Sequence, residues 1–119
     1  MAILICEDNK LAARALSAVL VRDGFESDVA VDGIEAMSLL KNKEYDLIIA
    51  DIHLPYHSGL ELVQYLHKDL GRKTPVIVVS AFSDPQMQKQ AKELGIVAYV
   101  VKPVDMTDIL SRVRSLLSK

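Results

Sequence analysis

Charged and hydroxyl-bearing side chains stand immediately after four of the five short apolar runs in the sequence. In chain order they are Glu7 with Asp8, Asp51, Ser80 and Lys102. Three carboxylates, one hydroxyl and one ammonium group could hold a hard cation next to an anion, provided that the fold brings them together.

The electrostatics of such a cluster predict which ions it binds. Two carboxylates about 5 Å apart repel by roughly 3 kcal/mol at an effective dielectric of about 20. Three of them must raise one another's pKa values or recruit a cation. Oxygen ligands favour Mg²⁺, with Mn²⁺ as the alternative, and Mg²⁺ readily shares a phosphate. Lys102 and Ser80 can bind the oxygens of an anion. Together with the three carboxylates they predict a metal site beside a phosphate-sized dianion.

Asp51 is the candidate for covalent chemistry at this site. A carboxylate of ordinary pKa is ionised at neutral pH and is a nucleophile without a general base. In-line attack on phosphorus would be assisted by Mg²⁺ and Lys102, which neutralise the equatorial oxygens. The sequence has no G-x-x-x-x-G-K-[ST] loop, which argues against P-loop nucleotide binding.

Five short segments that favour β-structure alternate with longer amphipathic stretches. They are AILIC at 2–6, SDVAV at 27–31, LIIA at 47–50, VIVV at 76–79 and VAYVV at 97–101. All but the second are nearly entirely apolar, as expected for strands of a parallel sheet that is covered on both faces.

Apolar residues spaced three and four apart predict a helix after each strand. The predicted core-facing stripes are Leu11, Ala12, Ala15, Leu16, Val19 and Leu20; Ile34, Met37 and Leu40; Leu62, Val63 and Leu66; Met87, Ala91 and Leu94; and Ile109, Leu110, Val113, Leu116 and Leu117. The predicted helix ends are Gly24, Gly71 and Gly95, and the predicted start of the fourth helix is Asp84–Pro85.

Five β-α units predict a doubly wound α/β fold, because crossover connections are right-handed and helices must cover both faces of the sheet. Parallel strands place their C-terminal ends on one edge of the sheet, which is where ligands bind in open α/β sheets. The polar residues that follow the strands are therefore expected to meet at that edge.

Composition limits the class of protein. The chain has 119 residues, of which 50% are hydrophobic and 25% charged, and its formal net charge of -2 gives no bulk basic surface for nucleic acid or anionic membrane. Cys6 is the single cysteine, so an internal disulfide is impossible, and we expect it to be buried and unreactive. With neither a signal peptide nor an apolar run of membrane-spanning length, a cytoplasmic location is predicted.

Several motifs follow one another in a characteristic order. They are the pair Glu7-Asp8, the segment Asp51-Ile-His-Leu-Pro55-Tyr-His-Ser-Gly59, the pair Ser80-Ala81 and the segment Tyr99-Val-Val-Lys102-Pro103. In these features the sequence resembles, over essentially its whole length, the CheY-like receiver domain of two-component response regulators. The resemblance implies a (βα)5 sandwich with a five-stranded parallel sheet of order 2-1-3-4-5, as in flavodoxin. It also implies a single receiver domain over residues 1–119, with no output domain in this chain.

The resemblance also implies the roles of the acidic residues. Asp51 would be the phosphoacceptor in a Mg²⁺-dependent reaction. The implied metal ligands are Asp8, Asp51, the backbone carbonyl of His53 and, mainly through water, Glu7.

The remaining site residues receive roles from the same resemblance. Lys102 and Ser80 would stabilise the phosphoryl group, and Ser80 with Tyr99 would form a conformational switch. The Lys102–Pro103 peptide bond would be cis. His53 and Phe82 would flank the phosphoryl group and modulate the rate of dephosphorylation, because residues at these two positions would govern the approach of the hydrolytic water and both carry bulky rings.

The implied phosphodonor is a histidine kinase or a histidine phosphotransfer protein. It would dock on the exposed part of the first helix, with Lys10 and Arg14 at the rim. A phosphorylation-dependent homodimer could form through the fourth helix, fifth strand and fifth helix. Neither nucleic acid nor membrane is an expected direct partner, and the sequence does not identify the downstream target or a tethered output domain. As a switch that catalyses its own phosphorylation and dephosphorylation, the chain is not expected to be a turnover enzyme.

Two other classes of function compete with this interpretation. A pseudo-receiver scaffold would bind partners without phosphorylation, although it would have no use for the complete set of acids, serine and lysine. An enzyme of related chemistry is the other class. A haloacid-dehalogenase-type hydrolase would need a second aspartate where His53 stands, and an FMN protein would have its phosphate repelled by the three acids unless a metal ion intervened.

Overall fold

The computed structural model describes residues 1–117. Its strands are β1 (Ala2–Cys6), β2 (Glu26–Ala30), β3 (Leu47–Asp51), β4 (Val76–Ser80) and β5 (Ala98–Val101). They form one parallel sheet in the order β2-β1-β3-β4-β5, which confirms the predicted fold class and strand order. Each strand boundary lies within one residue of the predicted segment.

A helix follows every strand, as predicted. The helices are α1 (Lys10–Arg22), α2 (Gly33–Asn42), α3 (Gly59–Gln64), α4 (Pro85–Glu93) and α5 (Met106–Leu117). None of the helices within residues 1–117 combines the length and the apolar character needed to cross a membrane.

The third helix widens in its second half, which the apolar pattern did not predict. Residues Tyr65–Asp69 continue α3 as a π-helical segment. The amide of Leu70 donates to the carbonyl of Tyr65, five residues earlier, at 3.0 Å.

The sheet carries a core on each face because successive strand residues point to opposite sides. On one face Leu4 and Ile48 pack with buried residues of α2 and α3. On the other face Ile3 and Ile49 pack with buried residues of α1 and α5. Every residue of β1, β3 and β4 is buried, which is why these segments read as continuous apolar runs.

The predicted core-facing stripe of the first helix is confirmed at Leu16 and Leu20 but is wrong in the first turns. Leu11 is 78% exposed, and Ala12 and Ala15 are exposed as well. The buried residues of α1 are Ala13, Leu16 and Leu20. An alanine-rich helix carries more than one stripe of apolar residues at helical spacing, and the sheet covers only one of them. The exposed first turn of α1 is therefore apolar surface and not core.

Two further residues of the predicted stripes are also exposed. Ile34 in the first turn of α2 is 55% exposed, and Leu116 near the end of α5 is 38% exposed. Both lie close to a helix end. The other predicted core positions of α3 and α4 are buried or half-buried.

The predicted helix boundaries are confirmed. The backbone at Gly24, Gly71 and Gly95 is left-handed, with φ of 91°, 63° and 89°, which glycine adopts without steric cost. The side chain of Asp84 accepts a hydrogen bond from the Gln86 amide, and α4 begins at the following proline. Gly71 ends the π-helical extension and not an α-helical turn.

Cys6 lies in the core next to the acidic edge of the sheet. Burial raises the pKa of its thiol well above the usual range, and the charge of Glu35 raises it further. The thiol is therefore protonated at neutral pH and is a poor nucleophile, as predicted.

Candidate functional site

Adjacent strands deliver the predicted polar residues to one edge of the sheet. Glu7 directly follows β1, Asp51 and Ser80 end β3 and β4, and Lys102 directly follows β5. The register pairs Asp51 with Val79 and Ser80 with Val101, so the strand ends lie at one level. The central prediction from the sequence, that these distant residues converge, is confirmed.

Three carboxylates form the acidic cluster of Glu7, Asp8 and Asp51. One oxygen from each lies within 4.8 Å of the others. Glu7 and Asp51 are 8% and 6% exposed, whereas Asp8 is exposed. The cluster therefore opens to solvent on the side of Asp8, and an ion can enter there.

Lys102 is the cation that partly neutralises the acidic cluster. Its ammonium nitrogen lies 2.6 Å from Oδ2 of Asp51 and 2.8 Å from Oε1 of Glu7. Burial alone would lower the pKa of Lys102. The hydrogen bonds and negative charges of Asp51 and Glu7 outweigh burial, so the pKa of Lys102 is raised above its ordinary value. Lys102 therefore remains charged at neutral pH, in contact with two acids.

Backbone amides hold the two buried carboxylates in place. The amide of His53 donates to Oδ1 of Asp51 at 2.9 Å, and the amide of Asn9 donates to Oε2 of Glu7 at 3.2 Å. Both oxygens of Asp51 therefore have a donor, one from the backbone and one from Lys102. The rotamer of Asp51 is fixed by these two contacts.

Asn9 is a site residue that the sequence reasoning missed. Its side chain accepts a hydrogen bond from the Ala12 amide and caps α1, while its own amide contacts Glu7. Asparagine directly before an apolar helical stretch is a recognisable N-cap signal. That signal would have placed the start of α1 immediately after the acids.

The main chain of Phe82 connects Ser80 with Tyr99. Its amide donates to Oγ of Ser80 at 3.1 Å, and its carbonyl accepts from the hydroxyl of Tyr99 at 2.9 Å. Ser80 is fully buried, whereas Tyr99 is half-buried at the other end of this connection. A displacement of Ser80 would therefore act directly on the loop between β4 and α4.

The rings of His53 and Phe82 meet across the site. Their centroids are 5.5 Å apart and their planes lie at 88°, an edge-to-face contact. The sequence placed both residues beside Asp51 and Ser80 but did not predict that they touch. The Lys102–Pro103 peptide bond is cis, as predicted.

A cavity of about 280 Å³ lies beside the acidic cluster, between α1 and the loop that follows β5. Glu7, Asn9, Asp51 and Lys102 form its polar part. Its apolar walls are Ile5, Ala12, Leu16, Ile49, Val79, Val104 and Met106. The reactive edge of the sheet is therefore continuous with an apolar recess.

Gly59 allows the loop after β3 to close against Asp51. The amide of Gly59 donates to the carbonyl of Ile52 at 3.0 Å. A Cβ atom at Gly59 would lie 2.6 Å from the carbonyl oxygen of Asp51 and 3.0 Å from its carbonyl carbon. Both neighbours are backbone atoms, so they cannot move aside without displacing the strand end.

The Gly59→Ala variant is therefore expected to be less stable than the wild type by about 2 kcal/mol, because the methyl group overpacks rigid backbone. Urea unfolding measures this difference. Gly71→Ala is the control, since its methyl group meets nothing within 4 Å and carries only the cost of the left-handed backbone, about 1 kcal/mol. Equal stability of Gly59→Ala and the wild type would contradict the packing argument.

The acidic cluster fits Mg²⁺ by its donor set. Its side-chain ligands are all carboxylate oxygens, and two of the three carboxylates are buried. Within residues 1–117, Lys102 is the only cationic side chain that forms an ion pair with them. The hard oxygen donors match the preference of Mg²⁺, and the exposed side leaves room for the waters that Mg²⁺ retains.

Comparison with known families and proteins agrees with this geometry. A sequence model of the response regulator receiver domain matches residues 3–114. The chain is 37% identical over 119 residues to the transcriptional activator protein IrlR of Burkholderia pseudomallei and 33% identical over 117 residues to the transcriptional regulatory protein PcoR of Escherichia coli. These alignments cover 100% and 98% of this chain but 51% of each relative, so the chain spans about half their length.

Solved structures are similar over the whole chain. One is the crystal structure of the CheX-CheY-BeF3-Mg²⁺ complex from Borrelia burgdorferi. Its matching chain superposes with a TM-score of 0.90 at 29% sequence identity, and the alignment covers 100% of this chain and 90% of that chain.

Proposed function

The chain belongs to the response regulator receiver domain family, a family of phosphoacceptors in two-component signalling, and we propose from this that Asp51 receives the phosphoryl group. One observation carries the assignment. Asp51 ends the central strand of the sheet and begins the segment 51–59 that matches the family, and its buried carboxylate contacts both Lys102 and a backbone amide. It is thus oriented and adjacent to a positive charge.

The transfer needs one nucleophile and one leaving group. A carboxylate oxygen of Asp51 forms the new bond to phosphorus while the bond from phosphorus to the donor nitrogen breaks. The donor imidazole, protonated on its other nitrogen, leaves as a neutral ring. Lys102 lies 2.6 Å from Oδ2 of Asp51, so its ammonium group is in place to neutralise the oxygens of the incoming phosphoryl group.

The residues that would hold Mg²⁺ are Asp8, Asp51 and the backbone carbonyl of His53, with Glu7 acting mainly through water; Mn²⁺ is the alternative ion. When bound, the ion supplies positive charge beside the phosphoryl oxygens. Lys102 offsets only one of three carboxylate charges. The excess of negative charge supports the proposal that a divalent cation completes the site.

The switch that we propose uses the connection through Phe82. Ser80 would leave the amide of Phe82 to hydrogen-bond the phosphoryl group. The conformation of the loop between β4 and α4 would then change, and with it the hydrogen bond from the Tyr99 hydroxyl to the Phe82 carbonyl. The surface of α4, β5 and α5 would change as a result and present a different face to a downstream target or to a second copy of the chain.

The family interacts with histidine kinases and histidine phosphotransfer proteins. We propose that such a protein charges Asp51 and that each cycle carries one phosphoryl group, so the chain is a switch and not a turnover enzyme. The residues that match IrlR and PcoR make up about half of each of those regulators. We therefore propose no transcriptional output for this chain. A cytoplasmic location and a phosphorylation-dependent homodimer stay predictions.

The proposed function is tested by intact-mass spectrometry of the chain after incubation with acetyl phosphate and Mg²⁺. We expect a gain of one phosphoryl group that is absent when the metal is chelated and that hydroxylamine removes, since an acyl phosphate is sensitive to this nucleophile. No mass gain under conditions in which Mg²⁺ binding is demonstrated would contradict the proposal and favour a pseudo-receiver scaffold.

His53 and Phe82 lead to a prediction about the lifetime of the acyl phosphate. Their rings touch beside Asp51, so we propose that they restrict the approach of the hydrolytic water. Phe82→Ala is expected to shorten the lifetime by several-fold, measured as loss of the phosphorylated mass after the donor is removed. Val97→Ala, which trims another exposed apolar side chain, is the control. An unchanged lifetime in Phe82→Ala would contradict this role.

A further inference from the structure

Tyr56 has an unusual backbone conformation. Its φ is 72°, and within residues 1–117 it is the one residue other than glycine with a positive φ. The amide of His57 donates to the carbonyl of Pro55 at 2.9 Å, which closes a three-residue turn with Tyr56 at its apex. Residues other than glycine rarely adopt such a turn because Cβ crowds the backbone, whereas glycine adopts it freely.

The neighbouring structure holds this turn in place. The carbonyl of Pro55 also accepts from the amide of Gly33 at 2.9 Å. A Cβ atom at Gly33 would lie 2.4 Å from Cβ of His57, so the start of α2 is pressed directly against the turn. These contacts therefore hold the turn in place and set the direction of the Tyr56 side chain. The side chain itself takes no part in them.

The side chain of Tyr56 makes no contribution to the fold that explains its presence. It is 74% exposed, and its hydroxyl has no hydrogen-bond partner among the described residues. Ile34, next to Gly33, is 55% exposed at the same junction. Glycine at position 56 would remove both the strain and the exposed ring. Strained residues and exposed apolar patches both concentrate at functional surfaces.

We propose that Tyr56 and Ile34 form a docking patch for the protein that carries the phosphohistidine and that they help to determine which donor the chain accepts. The inference rests on the proposed function. The loop that carries Tyr56 leaves the sheet after Asp51 and ends at Gly59, the first residue of α3, whose amide donates to the carbonyl of Ile52 next to Asp51. A donor histidine must reach Asp51, so the protein surface around that histidine must cover the rim of the same edge.

Charge supports this occupant over others. Glu35 and Glu61 are exposed at the starts of α2 and α3, and Asp8 is exposed beside the acidic cluster. No lysine or arginine occurs in residues 23–40 or 44–67. An acidic rim around two apolar side chains repels nucleic acid, anionic lipid and a second copy of the same patch. The patch and its acidic rim are complementary to a protein surface on which basic residues surround apolar ones.

The test compares a protein donor with a small donor. A panel of purified histidine kinases, autophosphorylated with radiolabelled ATP, is mixed with the wild type, and the fastest donor is kept. For that donor we expect Tyr56→Gly to lower the initial transfer rate by about tenfold, as for loss of an aromatic anchor. Tyr56→Phe keeps the ring and should stay within about threefold of the wild type. Labelling by acetyl phosphate should be unchanged in both variants.

A stability measurement separates docking from a structural role. Tyr56→Gly relieves backbone strain, so its melting temperature should equal or exceed that of the wild type. Ile34→Ser should slow transfer from the kinase. Val21→Ser is the matched control, because Val21 is also 55% exposed but lies at the far end of α1, and it should leave transfer unchanged.

Several results would overturn the proposal. One is unchanged kinase transfer to Tyr56→Gly, and another is a parallel loss of acetyl phosphate labelling. A third is a Tyr56→Gly effect confined to self-association of the phosphorylated chain. A wild type that is labelled by acetyl phosphate but by no kinase in the panel would also count against it, because the patch would then have no histidine donor. Failure of the wild type to react with acetyl phosphate is the distinct result that removes the proposed function itself.

Discussion

Asp51→Asn is expected to take up no phosphoryl group from acetyl phosphate and Mg²⁺ under conditions that label the wild type. An amide oxygen is not an anionic nucleophile, so the bond to phosphorus cannot form. Intact-mass spectrometry of both proteins in parallel measures the difference.

The control for this variant is Asp84→Asn, which makes the same chemical change at the N-cap of α4, where asparagine caps equally well. It should be labelled like the wild type. Asp51→Asn should also remain folded, because Glu7 still pairs with Lys102 and one buried like-charge repulsion is removed. A mass gain in Asp51→Asn equal to that of the wild type would show that another residue is the phosphoacceptor.

Lys102→Met is the second large expected effect, and it acts on stability as well as on chemistry. The ammonium group of Lys102 is the cation that contacts both buried acids, so its removal leaves Glu7 and Asp51 without a counter-charge. We expect a loss of about 2–3 kcal/mol in the metal-free protein, less than for a fully buried pair because the side chain of Lys102 is 31% exposed. Urea unfolding in a metal chelator measures it.

Mg²⁺ should offset part of this loss, because the ion neutralises the same carboxylates without competition from the ammonium group. Phosphorylation of Lys102→Met by acetyl phosphate should nonetheless be slower by about 10- to 100-fold, since a charge that stabilises the transferring group is missing. The control is Lys43→Met, which removes an exposed ion pair to Asp28 and should change stability by less than about 1 kcal/mol. Wild-type stability and rate in Lys102→Met would contradict this role.

The pH dependence of stability provides an independent check on Lys102. Its pKa is raised in the folded state, so its stabilising contribution is complete below the unfolded-state pKa, about 10.4. The contribution is lost as the pH rises through the higher folded-state pKa. Above pH 10.5 the wild type should therefore lose stability faster with rising pH than Lys102→Met does.

The sequence determined the sheet, its reactive edge and the positions of several helix boundaries. Strands covered on both faces must be apolar along their whole length, and the residue that follows such a strand must lie at the sheet's edge. The polar type of Glu7, Asp51 and Lys102 therefore revealed the site. Glycine at left-handed helix ends, such as Gly24, is an equally local signal, because the backbone conformation excludes most other residues.

The tertiary structure decided what depends on packing between distant segments. Leu11 is exposed because the sheet covers another stripe of α1, and both stripes have helical spacing. The chain connection from Ser80 to Tyr99 runs through Phe82 because of a loop conformation that no local pattern encodes. Tyr56 has a glycine-like backbone because the start of α2 presses on its turn. Local sequence constrains local backbone, whereas these features arise only when side chains far apart in sequence compete for the same space.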